Sequence, residues 1–248
     1  YKATAWNISR DSLPDAIEIA ALAAAGTPVG PNTGVGRRYA DPEESEVFEL
    51  GTKIKLPTGY LNIALFDQKI EGFQSNTFIG TGFILANAGS QSTKGVEFDL
   101  VMSPMESIDL AISGLFMDPI YDSFPNSSSG DLSGTMPSNI SENTISSTIT
   151  WNWNLNNWDG YLRLSHLYAS DAKMLENPSW QAILENAGNG IKTQDTLNFS
   201  LGIERENLSI TVWGKNINDD RYLISAFPAV ADPTFTTFFG YPNAYSSY

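Results

Sequence analysis

Apolar and polar residues alternate along most of this chain, and the alternation defines its predicted elements. Within residues 144–154 the apolar positions are Ile145, Ile149, Trp151 and Trp153, separated by polar residues. The same period of two recurs in segments 48–56, 61–66, 96–100, 108–113, 162–165, 197–204 and 208–215. Because successive side chains of a strand point to opposite faces, the pattern predicts β-strands with one apolar and one polar face.

The links between these strands are alternately short and long. Short links fall at residues 57–59, 103–106, 156–160 and 205–207, and long links at 9–44, 68–92, 118–143, 170–193 and 217–242. Loops longer than about 12–15 residues are uncommon in compact domains, so this series argues against an ordinary β-sandwich. A soluble sandwich or solenoid remains an alternative, and it requires the apolar faces to be buried against another sheet.

Strand length and side-chain placement favour a membrane barrel. The predicted strands have about ten residues or more, and a tilted strand needs roughly 9–11 to cross a bilayer. No Asp, Glu, Lys or Arg lies in the middle of an apolar face, as expected where a charge at the midplane costs about 2–4 kcal/mol. Tyr60, Trp158 and Tyr161 flank the short links, where an interfacial girdle belongs. We predict an all-β fold, a partial transmembrane antiparallel β-barrel with long extracellular loops.

About ten strands are predicted, the first within residues 1–7 and the last beginning near Asn243. Both edges of such a sheet would be unpaired, and unpaired amides in lipid cost several kcal/mol each. We therefore expect the chain to be a piece of a larger closed barrel. Short loop helices are predicted at residues 14–26 and 177–188, each with Pro near its start and Gly at its end.

Composition excludes several classes of function. The net charge of −14 argues against nucleic acid as a partner. The chain has no Cys and one His, which excludes thiolate and multi-histidine metal sites. No nucleophile–base pair, zinc motif or nucleotide-binding fingerprint is present. We predict neither an enzyme nor a cofactor.

Four segments carry a resemblance to a known family. They are "YADPEESEVFELGTKIKL" (39–56), "NAGSQSTKGVEFDLVMSP" (87–104), "YDSFPN" followed by "GDLSGTMP" (121–137), and "TVWGKNINDDRY" (211–222). In this order they resemble the C-terminal part of TonB-dependent outer-membrane receptors, and the resemblance covers essentially all of residues 1–248. It implies that these residues form the C-terminal portion of a barrel domain of about 22 strands, closed by an N-terminal plug that lies outside this sequence.

The resemblance also implies a function and partners. The expected activity is energised uptake of a scarce ligand, an iron–siderophore chelate first, with haem, cobalamin or glycans as alternatives. Expected partners are outer-membrane lipid and lipopolysaccharide, and the TonB complex through the absent N-terminal region. The expected location is the outer membrane of a Gram-negative bacterium. A non-gated barrel, such as a porin, an adhesin or a barrel enzyme, is the rival interpretation.

Two groups of residues are candidates for ligand contact. Charged residues on the polar face could line a substrate path, or alternatively form ion pairs with one another and with the plug: Glu49, Lys53, Lys55, Glu97, Asp99, Asp109, Arg163 and Lys215. Aromatic residues in the long loops could line a vestibule for planar ligands, or alternatively pack the loops together: Phe73, Phe78, Tyr121, Phe124, Trp180, Phe239 and Tyr241.

Three further features are given a structural interpretation. His166 has outward parity and no partner set for a metal, so an interfacial or upper-rim position is predicted. The acidic cluster Asp41, Glu43, Glu44 and Glu46 could bind calcium or, through divalent ions, lipopolysaccharide, but its spacing fits no EF-hand, and a solvated strand entry is favoured. In the segment 211–222, Asp219, Asp220 and Arg221 are expected to satisfy one another in a turn that ends the ladder.

Overall fold

 The structure is a computed structural model that describes residues 2–5, 24, 41–79, 82–125, 127, 129–229, 232 and 236–247, with side chains described outside 2–5 and 76–86. Nine strands form one antiparallel sheet in chain order, and two more form a separate hairpin. The strands are β1 (Lys2–Ala5), β2 (Glu43–Leu56), β3 (Gly59–Ile79), β4 (Gly82–Met105), β5 (Ile108–Ser123), β6 (Asn143–Leu155), β7 (Trp158–Lys173), β8 (Ile191–Arg205), β9 (Leu208–Gly214), β10 (Leu223–Pro228) and β11 (Phe238–Pro242).

The short links are two-residue turns at one end of the sheet, as predicted. They lie at residues 57–58, 106–107, 156–157 and 206–207. Asn156 and Asn157 have φ values of 52° and 62°, and positive φ at both central residues is what a tight hairpin turn between twisted strands requires. Because neighbouring strands are antiparallel and consecutive, every longer link lies at the opposite end of the sheet.

One face of the nine-stranded sheet is apolar and exposed. Phe48 is 69% exposed, Leu50 63%, Val212 55% and Trp151 50%. We call these outward residues and their aliphatic neighbours on β2–β9 the apolar belt. No second sheet covers the belt in the described part of the chain, so the sandwich alternative lacks the buried faces that it requires. The predicted fold class is confirmed, and the sheet is an open part of a barrel.

One predicted loop is instead a strand hairpin. Residues 68–92 belong mainly to β3 and β4, which have 21 and 24 residues and pair as far as Ile79 and Gly82. Their pairing continues past irregularities at Glu71/Phe73 and Phe73/Gln74. Outside the apolar belt neither face has to be continuously apolar, so these extensions lack the alternation by which strands were recognised in the sequence.

The long link 217–242 also contains unpredicted strands, since β10 and β11 pair within it. The predicted second helix is confirmed as α1 (Pro178–Asn186), and the side chain of Asn177 accepts hydrogen bonds from the backbone at its start. The predicted helix at residues 14–26 lies outside the described residues, apart from Ala24. Among the described residues, no helix is long and apolar enough to cross a membrane.

Aromatic rings lie directly over glycines of the neighbouring strand. The cross-strand pairs are Phe66–Gly95, Phe98–Gly114, Trp153–Gly160, Tyr161–Gly202 and Phe199–Gly214. In each pair, a Cβ atom on the glycine would overlap the ring opposite. The rings thus cover backbone that a glycine leaves bare, an arrangement known to support strand pairing.

Candidate functional site

The eight charged candidates lie on one face of the sheet, opposite the apolar belt. Pairing in register connects Lys53 through Asn62 to Asp99, and connects Asp109 through Thr150 to Arg163. The same register places Glu49, Lys55, Glu97 and Lys215 on this face. We call it the charged face. A groove of about 700 Å³ lies on it, and Glu49, Lys53, Glu97 and Asp99 are among its lining residues.

The ion pairs expected among these eight residues do not form in the described part of the chain. Two of the carboxylates have neutral hydrogen-bond partners instead. Asn62 Nδ2 donates to Asp99 Oδ2 over 3.3 Å. Asp109 accepts from Ser103 Oγ at 2.7 Å and from Asn152 Nδ2 at 2.8 Å. The carboxylates of Asp99 and Asp109 are therefore solvated by amides and a hydroxyl, and the eight charges are not neutralised by one another in the described part of the chain.

Three of the aromatic candidates form a packed cluster. Phe73 on β3, Tyr121 on β5 and Phe124 just after β5 are 8%, 7% and 5% exposed. Their ring centroids lie 5.2–5.3 Å apart, with Ala88 and Leu132 buried against them. This packing agrees with the alternative in which aromatic residues join the extracellular segments together. Phe73 and Tyr121 lie on strand extensions, so the prediction that they occupy loops is wrong.

The remaining aromatic candidates are spread over other elements. Trp180 lies on α1 and is half-buried. Phe239 and Tyr241 lie on β11, where they are 55% and 56% exposed. The backbone of Phe78 pairs with Phe83 in the β3–β4 hairpin, and its side chain lies outside the described part. Of the seven candidates, Phe239 and Tyr241 present the most open rings among those whose side chains are described.

Tyr121 also connects two extracellular links. Its hydroxyl donates to Glu176 Oε1 at 3.0 Å, and the same oxygen accepts from the backbone N–H of Ser138 at 2.9 Å. Tyr121 lies above the apolar belt. Burial, together with the negative charge of Glu176, raises its pKa above the ordinary value of 10.0.

This contact predicts a pH dependence of stability. A raised folded-state pKa means that the native protein holds the Tyr121 proton more tightly, so its contribution is complete below about pH 10 and is lost as the pH rises further. We expect Tyr121→Phe to lower the free energy of unfolding by about 1.5–3 kcal/mol at pH 8, because a hydrogen bond to a carboxylate is lost. The deficit should shrink above pH 10. Denaturant titrations at pH 8 and 10.5 measure it, and an equal deficit at both would contradict the assignment.

Residues 87–89 ("NAG"), which we call the clasp, join neighbouring segments through hydrogen bonds and close packing. Asn87 Oδ1 accepts from the backbone N–H of Asp41 at 2.6 Å, and Asn87 Nδ2 donates to the carbonyls of Asp41 at 2.8 Å and Gly72 at 2.6 Å. Ala88 is 1% exposed within the aromatic cluster. Gly89 lies against the backbone of Ser123. The clasp therefore fixes the start of β2 to the β3–β4 extension.

Metal binding gains no support from the described residues. They contain no group of three His, Asp or Glu side chains that could hold an ion, so the calcium alternative for the acidic cluster is not supported. Glu43 of that cluster instead accepts from the backbone N–H of Gln74 at 2.5 Å. His166 Nε2 lies 2.6 Å from Asp195 Oδ1, with both side chains substantially exposed.

The segment after β9 continues the sheet with side chains. Asn218 Oδ1 accepts from the backbone N–H of Leu197 at 3.0 Å, and Asp220 Oδ2 accepts from that of Asp195 at 2.7 Å. The expected pairing of Asp219 with Arg221 forms at 2.7 Å. Asp220 does not join this ion pair, because its carboxylate accepts the hydrogen bond from Asp195 at the edge of β8. The turn is architectural, as predicted.

A family model for the TonB-dependent receptor-like β-barrel matches residues 7–217. The chain belongs to the TonB-dependent receptor family. Receptors of this family are outer-membrane proteins of Gram-negative bacteria that bind siderophores and interact with TonB. Among curated proteins, none matches the sequence.

Solved structures of TonB-dependent receptors share the fold. The ferric yersiniabactin uptake receptor of Yersinia pestis is 18% identical, with a TM-score of 0.65 over 88% of this chain and 31% of its own. The ferric-catecholate import receptor Fiu of E. coli K12 is 13% identical, with a TM-score of 0.63 over 99% and 31%. The ferric preacinetobactin receptor of Acinetobacter baumannii is 15% identical, with a TM-score of 0.57 over 90% and 30%. The chain thus spans about a third of the length of these receptors.

Proposed function

We propose that the chain is the C-terminal portion of the barrel of an outer-membrane receptor that takes up an iron–siderophore chelate. The main support for this proposal is that one sheet has an apolar face on one side and a charged face on the other. An exposed apolar belt suits lipid, whereas the face behind it carries the eight charged candidates and a groove of about 700 Å³. The ligands after which the similar receptors are named, ferric yersiniabactin, ferric preacinetobactin and ferric catecholate, support an iron chelate as cargo.

The proposed route follows from the arrangement of the faces. The extracellular elements, which include the β3–β4 extension, α1 and the β10–β11 hairpin, would meet the ligand first. The charged face would then form part of the wet wall of the barrel, and hydroxyls and amides that solvate its charges would also solvate a passing polar chelate. Gating by a plug and energy supply through TonB involve regions outside residues 1–248.

Iron uptake by the full-length receptor tests the proposal. In a host strain that lacks its own siderophore receptors, expression should restore ⁵⁵Fe accumulation from at least one ferric siderophore, and deletion of the host tonB gene should abolish it. The matched control is the same strain with an empty vector.

Two results would contradict the proposal. Uptake that persists without TonB, together with passage of uncharged sugars into receptor-containing liposomes, indicates a non-gated pore. Failure to accumulate iron from any ferric siderophore, with the receptor present in the outer membrane, removes the iron chelate as cargo and leaves the fold unchanged.

A further inference from the structure

The β7–β8 link is organised around the end of α1. Ala187 ends the helix, and Gly188 follows it with a φ of 77°. The backbone N–H of Asn189 donates to the carbonyl of Leu184 at 2.9 Å. That of Gly188 donates to the carbonyl of Glu185, also at 2.9 Å. These two bonds constitute the Schellman motif, a common helix end in which glycine adopts positive φ, so the path of the chain after α1 is fixed.

Gly190 then joins this link to the residues that follow β7. Its carbonyl oxygen accepts from Gln181 Nε2 at 2.6 Å and from the backbone N–H of Met174 at 3.2 Å. Gln181 is 5% exposed, and its Oε1 accepts from the backbone N–H groups of Met174 and Leu175. Displacement of the Gly190 carbonyl would therefore leave a buried amide of α1 without one of its partners, which is costly.

Position 190 requires a glycine. A Cβ atom on Gly190 would lie 2.5 Å from the backbone nitrogen of Glu185, at the last turn of α1. Because glycine has no side chain, its own backbone nitrogen is sterically unhindered, and this nitrogen donates no hydrogen bond to the described part of the chain. The packing that requires glycine thus leaves a backbone nitrogen that can react with the side chain of the preceding residue.

The preceding residue is Asn189, and residues 189–190 are the single Asn-Gly dipeptide of the sequence. The Asn189 side chain is exposed, and among the described residues its one hydrogen bond is from Nδ2 to the carbonyl of Ala187 at 3.0 Å. A backbone nitrogen that follows asparagine can attack the side-chain carbonyl carbon. Glycine favours this attack, because it neither obstructs the approach nor restricts the backbone conformation.

We propose that Asn189 is a site of spontaneous covalent modification, deamidation to isoaspartate, and that this modification loosens α1. The nitrogen of Gly190 attacks Cγ of Asn189, and the bond between Cγ and Nδ2 breaks. The proton of the attacking nitrogen passes through water to the leaving nitrogen, which departs as ammonia, and a cyclic succinimide remains. One water molecule then opens this ring at either carbonyl and gives aspartate or isoaspartate at position 189.

Isoaspartate changes both the length of the backbone and its charge. The side-chain methylene of the former asparagine becomes part of the main chain, so Gly190 O is displaced from Gln181 and Met174. A new carboxylate also lies at the C-terminal end of α1, where the helix dipole disfavours negative charge. Both effects weaken the attachment of α1 to the end of β7. The inference concerns the extracellular surface of the receptor and does not depend on the cargo.

Ageing of the purified full-length receptor in ¹⁸O-labelled water at pH 8 tests the reaction. Peptide mapping should show solvent oxygen and isoaspartate at position 189. The internal control is the dipeptide Asp159–Gly160, which can form the same ring but lies in β7 between β6 and β8. Compared with denatured receptor, folding should slow conversion at Asp159 at least about tenfold, because the strand must open first, and at Asn189 less than about threefold.

Hydrogen exchange of the α1 amides measures the loosening. Aged receptor that contains isoaspartate should exchange these amides about tenfold faster than fresh receptor, because the two hydrogen bonds to Gly190 are lost. Asn189→Gln is the matched control, because its longer side chain keeps the amide but does not close the same ring, and its exchange should not change with age. Fresh Asn189→Asp adds the charge without lengthening the backbone and should exchange less than about threefold faster than fresh wild type.

Three results would overturn the inference. Folding that slows conversion at Asn189 as strongly as at Asp159 would show that the link does not expose a reactive dipeptide. Conversion without faster exchange would show that α1 does not depend on the position of Gly190. Equal exchange in Asn189→Asp and in aged wild type would assign the loosening to charge and not to the longer backbone. Heat-dependent gel migration of each sample confirms that the barrel is folded.

Discussion

Replacing Gly89 by alanine is expected to lower the free energy of unfolding of the full-length receptor by about 3 kcal/mol. Gly89 has a φ of +156°, and a Cβ atom there would overlap the carbonyl oxygen of Ser123. That oxygen belongs to the backbone of β5, so it cannot rotate away as a side chain could. Relief requires β4 and β5 to separate beside the pair Ser90–Ser123, which also disturbs the aromatic cluster around Phe124.

Denaturant titration in detergent, followed by tryptophan fluorescence, measures this loss. Gly130→Ala is the matched control, because Gly130 has a φ of +94° but no atom within 4 Å of the added Cβ. It should show only the cost of an unfavourable backbone conformation, about 1 kcal/mol. Equal losses in the two variants would refute the close contact between β4 and β5.

The second large loss of stability is expected when Asn216 is replaced. This side chain is 5% exposed and makes three bonds to backbone groups. Its Oδ1 accepts from Asp220 N–H at 2.8 Å, and its Nδ2 donates to the carbonyls of Asp220 at 2.9 Å and Ala244 at 3.1 Å. Asn216→Ala should cost about 2–4 kcal/mol, because buried backbone groups lose their partners and the residue must keep a φ of +51°.

The same titration tests Asn216→Ala against Asn189→Ala. Asn189 is exposed, and among the described residues its side chain donates only to the carbonyl of Ala187, at 3.0 Å. We expect the control to change stability by less than about 0.5 kcal/mol. An Asn216 variant as stable as the control would show that the turn after β9 does not depend on this side chain.

The apolar belt and the tight turns could be predicted because each depends on local sequence. Leu50 and Ile54 lie on the same face simply because they are four residues apart in a strand, and both are exposed as expected. Asparagine is common at turn positions with positive φ, as Asn156 and Asn157 show. Such turns can therefore be predicted from residue type alone, without knowledge of any distant segment. Local periodicity thus established the elements and the two faces of the sheet.

The clasp and the partners of the charged residues could not be predicted in this way. Asn87 bonds to Asp41, 46 residues away, and no spacing within either segment indicates the contact. The expected ion pairs on the charged face failed because opposite charges do not meet in register. Asp99, for example, pairs with Asn62 on β3 and with Ser113 on β5.

The exposure of the aromatic candidates could not be predicted from the sequence either. In the sequence, Phe124 and Phe239 are both rings within predicted loops, yet the first is 5% exposed and the second 55%. Burial of Phe124 depends on Phe73 and Leu132 from other segments. Only the assembled sheet separates rings that hold the extracellular segments together from rings that remain open to a ligand.

The pairs of rings and glycines have a consequence for how the strands find their partners. A strand that enters the sheet two residues out of place keeps its apolar and polar faces, so hydrophobicity does not oppose the error. The ring of Phe98 would then meet Ile112 or Phe116 in place of Gly114, where no room exists for it. Such steric overlaps at successive strand pairs would raise the free energy of intermediates whose strands are paired out of register. The native register would therefore be favoured during insertion, before the barrel closes.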